Sequence, residues 1–431
     1  MFWAARCLRR MDEEKLATGL LESLKRGVRL STDYSGMGCP EMSMENIISA
    51  AANHFGHHES LNFNVVCHRA ADIEDHARKV LLSRSGPTTP MHVFGDICER
   101  IPAAALTDMN ALQRQAEKRL QAIRRRGCEE GVREDPKIIK ALGAKLRKDC
   151  EEVMKCVEID QDRVAKCYKH PGKACRVAPP RPRPGDRNWI DMVIAGVTCT
   201  DYSSMGDHKG NVGRSIIVFH AFAAQTLADE PTFVLLECTK RFDTSNLKLF
   251  TPKYTIRHLQ MCPCDLGIPT RRVRKFMLMA HIHKARAQMP FDIELIGKLF
   301  FCNVQMSPGL YMHVSDDFRQ NGAIESFRKQ RGFVRTGRPF RLSVVLAAGF
   351  LHSMELYADQ ARALQLPDGF VNIGQTPEFM THEIPQVIPT LLKGSLIVSL
   401  ARKQMFEYPE YLAVMGISNP LLRASGVTGV A

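Results

Sequence analysis

Short apolar runs alternate along this chain with longer stretches in which apolar residues recur at helical spacing, and turn-forming residues separate the two. Met11 to Arg26 carries an amphipathic stripe and leads into a first strand; a further helix is predicted from Asn46 to His54. Leu61 to Val66 and Met91 to Ile97 read as short strands, with a helix-like stretch from Ile73 to Ser83 between them. Val193 to Val197, Val234 to Leu236 and Phe276 to Ala280 are apolar runs bounded by turn residues, the pattern of strands buried on both faces. Strands and helices in alternation predict an α/β fold whose chemistry belongs at the carboxyl ends of a mostly parallel sheet.

One stretch departs from this pattern. From Leu106 to Asp186 the sequence is rich in Lys, Arg and Glu, with helical periodicity over Met109 to Arg126 and Asp135 to Val157. It reads as a solvated helical hairpin projecting from the sheet. Its end, Ala178 to Gly185, holds four prolines and reads as a semi-rigid extended linker back to the next strand. Cys150, Cys156, Cys167, His170 and Cys175 lie within it, but only Cys167 and His170 have a common ligand interval. A zinc reading would add Cys175 and Cys156; ordinary thiols are the simpler reading, and no metal is assigned.

Candidate chemistry gathers at strand ends. Cys199 stands on the turn leaving Val193 to Val197, in a loop of small and polar residues, whereas Cys67 and Cys302 sit within apolar runs as structural cysteines do. Thr32 to Glu41 is a glycine-bearing turn, which lets a cofactor approach the backbone closely. Asp72 after the second strand is placed to accept ribose hydroxyls, and Asp96 after the third to accept from an adenine amine. Glycine turn, acid and acid after three consecutive strands suggest an adenosyl-type cofactor.

In order and spacing these segments resemble the DNA (cytosine-5) methyltransferases. Asp33-Tyr34-Ser35-Gly36-Met37-Gly38 is similar to that family's first motif, Asp72-Ile73-Glu74 to its second and Gly95-Asp96-Ile97 to its third. Thr198 to Gly206, continued by Gly210 and Arg214, resembles the nucleophile loop. Glu237-Cys238-Thr239 resembles the catalytic Glu-Asn-Val, Gly267 to Arg274 the later Gly-x-Pro-Gln-x-Arg-x-Arg, and Pro389 to Leu391 and Tyr411 to Gly416 the segments after the recognition region. The resemblance implies a class I, Rossmann-like S-adenosylmethionine-dependent methyltransferase with a helical insertion and a smaller target-recognition domain. It implies S-adenosylmethionine held by Tyr34, Ser35, Gly36, Met37, Gly38, Asp72, Ile73, Asp96 and Ile97. Catalysis falls to Cys199 as nucleophile and Glu237 as the carboxyl at ring nitrogen 3, with Arg272 and Arg274 steadying base and loop; Arg274 reads equally as a phosphate contact. Ser203, Arg214, Arg331, Arg335 and Arg338 fall to nucleic acid, the last three from a run between Phe327 and Arg341 that interleaves cations with aromatics and reads equally as a surface loop. Thr198 replaces the family's proline before the nucleophile, Cys238 its asparagine and Thr270 its glutamine. Where the family ends on Gly-Asn and a closing helix, this chain has Ser425 to Ala431, which predicts weak cofactor binding.

Five segments follow: 1–105 and 187–285 as the cofactor and catalytic halves, 106–186 as the insertion, 286–397 as the recognition domain, and 398–431 as a truncated return to the catalytic domain. The net charge of +13 favours a polyanionic partner. DNA is the expected substrate and structured RNA the alternative; a catalytically inactive nucleic-acid-binding protein is the rival from outside the enzymes. The 14 cysteines lack regular spacing and argue for a reducing compartment, with the nucleus expected. No apolar run is long enough to span a membrane, and no secretory signal is evident.

Overall fold

A computed structural model describes residues 2–56, 63–129, 135–157, 159, 162–179, 190–198, 200–202, 208–285, 293–302, 307–312, 348–366, 369–375, 387–389, 391 and 395–414. The chain divides into two compact units, Met1–Gln260 with Arg274–Phe300, and Met261–Val273 with Phe301–Ala431.

The first unit opens with two helices, α1 (Phe2–Glu13) and α2 (Ala17–Arg26), where periodicity predicts one from Met11 onward. The break is a backbone event. Lys15 adopts φ +59°, the Leu16 N–H donates to the Met11 carbonyl and the Lys15 N–H to that of Asp12, the paired bonds of a Schellman cap with lysine where glycine is usual. Hydrophobic pattern is blind to this, because both helices bury the same kind of stripe. Gly27, at φ +98°, then turns the chain into β1 (Val28–Asp33).

The sheet is completed by β2 (Val65–Ala71), β3 (His92–Phe94), β6 (Met192–Gly196), β7 (Phe233–Thr239), β8 (Tyr254–Met261) and β9 (Arg274–His281), in the order β3-β2-β1-β6-β7-β9-β8. β1 pairs in parallel with both β2 and β6, β6 with β7, and β9 runs antiparallel to β7. This is a doubly wound, mostly parallel, Rossmann-like sheet. Its strand order reverses between β1 and β6, the switch point where the carboxyl ends leave a crevice. Around it lie α3 (Cys39–His54), which starts seven residues before the predicted Asn46 with Pro40 in its first turn, α4 (Asp75–Ser83) and α7 (Ser215–Asp229). α7 is buried on nearly every face, which is why it shows no amphipathic period.

The insertion supplies α5 (Ala103–Glu129), α6 (Pro136–Lys155) and a small hairpin of β4 (Val164–Lys166) and β5 (Ala174–Arg176). It does not project as a solvated hairpin. Met109, Ala116, Leu120, Leu146 and Cys150 are buried in the same core as Val193, Phe219 and Leu236, so its charges line one face while its apolar stripe covers the sheet and α7. Gly143 explains the closeness of α6: a Cβ there would meet the Asn211 Cβ at 2.9 Å. Most of the proline-rich segment lies outside the described residues.

A fully buried quartet ties these layers together. Arg69 on β2 bonds the Asp229 carboxylate on α7 at 2.8 Å and faces Asp33 at 3.4 Å, while Arg100 faces the other Asp33 oxygen at 2.7 Å. Arg69 also donates to the Val177 carbonyl, in the insertion, at 3.0 Å. Burial alone would raise the Asp33 pKa, but Arg100 and Arg69 together outweigh it and hold the carboxyl below the usual aspartate range.

The last helix of the first unit is α8 (Ile293–Phe300). The second unit has α9 (Ala348–Ala363), an antiparallel sheet of β10 (Phe370–Asn372), β11 (Ile397–Ser399) and β12 (Gln404–Met405), and α10 (Tyr408–Val414). Tyr357, Val371, Ile373 and Val398 form one core there, and Phe370, Ile388, Ile397 and Phe406 another. Among the described residues no helix is long and apolar enough to cross a membrane.

Candidate active site

The crevice beside β1 is built from backbone turns that only certain residues permit. After β1 the chain takes φ +54° at Tyr34, +54° at Gly36 and +84° at Gly38. Tyr34 tolerates this left-handed conformation because its hydroxyl donates to the Val218 carbonyl at 3.0 Å and its ring lies 6.2 Å from Phe222. Its side chain is therefore committed to α7, and only its backbone faces the crevice. Ser35 clips the turn to β2, accepting from Ala71 N–H at 3.1 Å through its hydroxyl and donating its own N–H to the Ala71 carbonyl at 2.9 Å. Among the described residues beyond its chain neighbours, no atom lies within 4 Å of where a Gly36 Cβ would be, whereas a Gly38 Cβ would crowd Arg84 at 3.1 Å. Gly36 leaves open space; Gly38 serves packing.

Asp72, just past β2, accepts the Gly36 N–H at 2.8 Å with Oδ2 and the Glu74 N–H at 2.9 Å with Oδ1. Beside it Ile73 is 59% exposed, a large apolar side chain held next to two acids. Asp96, past β3, caps the following short helix by accepting from Cys98 N–H at 2.9 Å, and its other oxygen lies 3.6 Å from Arg214. Ile97 is buried beneath it. Arg214 thus flanks Asp96 with a largely exposed guanidinium. Burial first, and the Asp96 carboxylate second, push the Cys98 thiol up to about 12, and burial likewise raises that of Cys67, so both stay protonated and unreactive.

On the other side of the switch point, Gly196 on β6 pairs with Glu237 on β7. Arg274 starts β9 opposite Thr239, so it shares a face with Glu237, and its Nε donates to Glu237 Oε1 at 2.8 Å. A Cβ at Gly196 would stand 3.6 Å from Glu237 Oε2 and 3.6 Å from the Tyr34 carbonyl. One carboxylate oxygen is thereby clamped, and the other sits where β6 delivers the chain into the Cys199 loop. Cys238, standing where the resembled family has asparagine, is buried and points its thiol at the Val197 carbonyl, 3.6 Å away. It touches the strand end just before Cys199.

Cys199 and Ser203 lie outside the described residues, as do Arg331, Arg335, Arg338 and Ser425 to Ala431. The loop's anchors are described. Val197 N–H donates to the Glu237 carbonyl at 3.0 Å on the near side. On the far side Asp201 accepts the Ser215 N–H at 2.9 Å at the start of α7, and Tyr202 donates to Asn211 at 2.6 Å within a buried cluster that includes Asn246. Asp201 lies inside the segment that resembles the nucleophile loop and Asn211 between the Gly210 and Arg214 that continue it, but neither they nor Asn246 were among the predicted site residues. Gly213 is required by Asp201: a Cβ there would fall 1.9 Å from the Asp201 Cγ. Gly213→Ala should therefore expel that carboxylate from α7 and destabilise the unit by about 1–3 kcal/mol. An unchanged urea midpoint would show that the anchor is dispensable.

Arg272 belongs to the second unit, where it donates to the Leu391 carbonyl at 3.4 Å. There the 267–272 segment meets the 387–391 segment through a bridge between Thr270 and Ile388, with Ile388 N–H donating to the Pro269 carbonyl at 2.7 Å. Two motifs distant in sequence are thus neighbours.

No protein-family profile and no curated protein sequence matches the chain. Among solved structures it is similar to a candidate DNA modification methyltransferase encoded in an E. coli prophage, at 14% identity and TM-score 0.31, over 66% of this chain and 54% of that one. It is also similar to the S. pombe Dnmt2 methyltransferase, at 12% identity and TM-score 0.35, over 71% of this chain and 66% of that one. A third is the Entamoeba histolytica methyltransferase EhMeth, at 12% identity and TM-score 0.31, over 69% and 66%. The chain spans about half the length of the first of these and just under two thirds of the other two. With scores this low, it is the strand order that identifies the fold.

Proposed function

We propose that this chain is a cytosine-5 methyltransferase that uses S-adenosylmethionine and acts on a cytosine flipped out of DNA. The observation that carries the reading is Glu237, clamped by Arg274 with its second oxygen beside Gly196, at the strand end that leads into Cys199. Cytosine chemistry requires a carboxyl and a thiol at one point, and Cys199 follows three residues after Gly196 in the sequence. The ring is too poor a nucleophile at carbon 5 until a thiolate adds to carbon 6, and that addition needs charge relief at ring nitrogen 3. Cys199 would form the bond to carbon 6; Glu237 would hold the proton at nitrogen 3; Arg274 positions Glu237. Once carbon 5 has gained a methyl group, loss of its proton to water would re-form the 5,6 double bond as the carbon 6–sulfur bond breaks and the Cys199 thiolate leaves. A thiol cannot reach carbon 6 inside a base stack, so the base must leave it at a cost of a few kcal/mol.

The first three strand ends fit an adenosyl cofactor. Open space at Gly36, the Asp72 carboxylate locked to the same turn, exposed Ile73 and capped Asp96 offer backbone approach, a ribose acceptor, an apolar face and an adenine acceptor. Met37, Gly38 and Ile97 complete the turn and its floor. When bound, S-adenosylmethionine supplies an electrophilic methyl group. DNA is the favoured polyanion for the positive net charge and for the 327–341 run of cations and aromatics.

The test is adduct formation with S-adenosylmethionine and an oligonucleotide containing 5-fluorocytosine, whose fluorine cannot leave as a proton does. The wild-type chain should form a denaturant-resistant complex and Cys199→Ala none. A complex on tRNA but not on DNA would move the substrate to RNA. No complex on either, in protein that binds the cofactor, would leave an inactive nucleic-acid-binding fold.

A further inference from the structure

The hairpin at the end of the insertion carries a second constellation, remote from the Glu237 carboxylate in sequence. β4 and β5 pair Ala165 with Cys175, and the loop between them runs from Cys167 to Lys173, closed by Cys167 N–H to the Lys173 carbonyl at 3.2 Å and Lys173 N–H to the His170 carbonyl at 3.0 Å. That hairpin presents Cys167, His170 and Cys175 to one point, and β3 presents His92 to the same point. Cys167 Sγ lies 3.3 Å from His170 Nδ1 and 3.9 Å from His92 Nδ1, Cys175 Sγ lies 3.4 Å from His170 Nδ1, and one ligand atom from each of the four falls within 4.8 Å of all the others.

The geometry points to a structural zinc site formed by His92, Cys167, His170 and Cys175. Zinc binds sulfur at about 2.3 Å and imidazole nitrogen at about 2.0–2.1 Å, so the edges of its tetrahedron are roughly 3.3–3.8 Å. The three sulfur–nitrogen separations scatter closely around those edges. Two thiolates with two imidazoles suit zinc better than the hard cations, which take oxygen, and four protein ligands leave no open position for catalysis. The fourth ligand is not Cys156, which is exposed beyond the end of α6, but His92, far away in sequence.

The site has a mechanical reason to exist. Two paired strands of three residues each cannot hold themselves together in water. Among the described residues their apolar support is small: Ala165, Cys167 and Val177 against Ala71 and Phe94, and Tyr168 against Ala70, Leu81 and Val93. The hairpin nevertheless covers the open edge of β3, where Tyr168 N–H donates to the Val93 carbonyl at 2.8 Å and Arg78 stacks over the Tyr168 ring at 4.4 Å. An ion bonded to His92 on β3 and to three residues of the hairpin would fasten the insertion to the sheet edge. It would also fix Tyr168 against Gly95, where a Cβ would come within 3.3 Å of its ring.

The full chain, expressed with zinc in the medium and purified under reducing conditions without chelator, should carry about one zinc per molecule by elemental mass spectrometry. His92→Ala and Cys175→Ser should each lose most of it, and Cys156→Ser should keep it. Should those variants fail to fold, the wild-type protein decides. Zinc withdrawn by a chelator and replaced by cobalt(II) should give the intense visible bands of a tetrahedral, thiolate-bound ion, and zinc should restore the melting temperature lost on chelation. Wild-type protein free of stoichiometric metal, a Cys167–Cys175 disulfide in its place, or zinc retained by both His92→Ala and Cys175→Ser would overturn the assignment. None of these readouts depends on methyl transfer.

Discussion

Glu237→Gln is expected to slow methyl transfer by roughly 10²–10⁴-fold, the range for a lost acid, while cofactor affinity changes little. The reasoning rests on what glutamine preserves. Its amide oxygen still accepts from Arg274 Nε, where Glu237 Oε1 now accepts at 2.8 Å, so strand pairing and side-chain position should survive. Its amide nitrogen replaces the oxygen beside Gly196 and can donate a hydrogen bond there, but it cannot transfer and recover a proton. The defect should therefore appear in kcat, with melting temperature and S-adenosylmethionine titration close to wild type. Single-turnover assays on a cytosine-containing duplex measure it. A variant within tenfold of wild type would remove Glu237 from the chemistry and reduce its pair with Arg274 to a structural one.

The strands that carry this site were legible because their apolar runs are short and clearly bounded. β6, β7 and β9 fall where the runs at 193, 234 and 276 predict them and Asp96 stands past β3 as expected, whereas β2 spans Val65–Ala71 rather than Leu61 to Val66, so that Asp72 follows it directly. What periodicity could not show is where partners lie far apart along the chain. His92 completes a cluster with Cys167 across 75 residues, Thr270 finds Ile388, and Arg69 finds Asp229 across 160. α7 escaped because it is apolar on all sides, and the break before α2 because a left-handed lysine leaves no compositional mark. Cys302, read as a structural cysteine within an apolar run, lies just beyond α8, half-buried, with its N–H on the Asp265 carbonyl at 2.9 Å. The insertion was read correctly for its helices and wrongly for its setting: abundant Lys, Arg and Glu describe its outer face and say nothing about the narrow stripe that reaches the core.

Asp33→Leu should cost the first unit about 3–5 kcal/mol, the penalty for breaking a buried ion pair from one side. Asp33, Arg69, Arg100 and Asp229 are all at most 1% exposed, two anions against two cations in the interior. Removing Asp33 leaves Arg100 without the carboxylate at 2.7 Å and Arg69 with Asp229 alone, so an uncompensated cation is stranded in the interior. The quartet also sets the site. Asp33 ends β1 one residue before the Tyr34 turn, Arg100 ends the short helix that Asp96 caps, and Arg69 reaches the insertion through the Val177 carbonyl. A loss of cofactor affinity should therefore accompany the loss of stability, even though none of the four faces the crevice. Urea unfolding followed by circular dichroism measures the first effect and calorimetry with S-adenosylmethionine the second. The double variant Asp33→Leu with Arg100→Leu separates charge from shape: with the stranded cation gone, it should recover part of the stability, because a buried pair replaced on both sides costs far less than one broken. A single variant that loses less than about 1 kcal/mol, or a double variant no better than the single, would mean that water or another carboxylate reaches Arg100 and that the quartet does not hold the two turns in register.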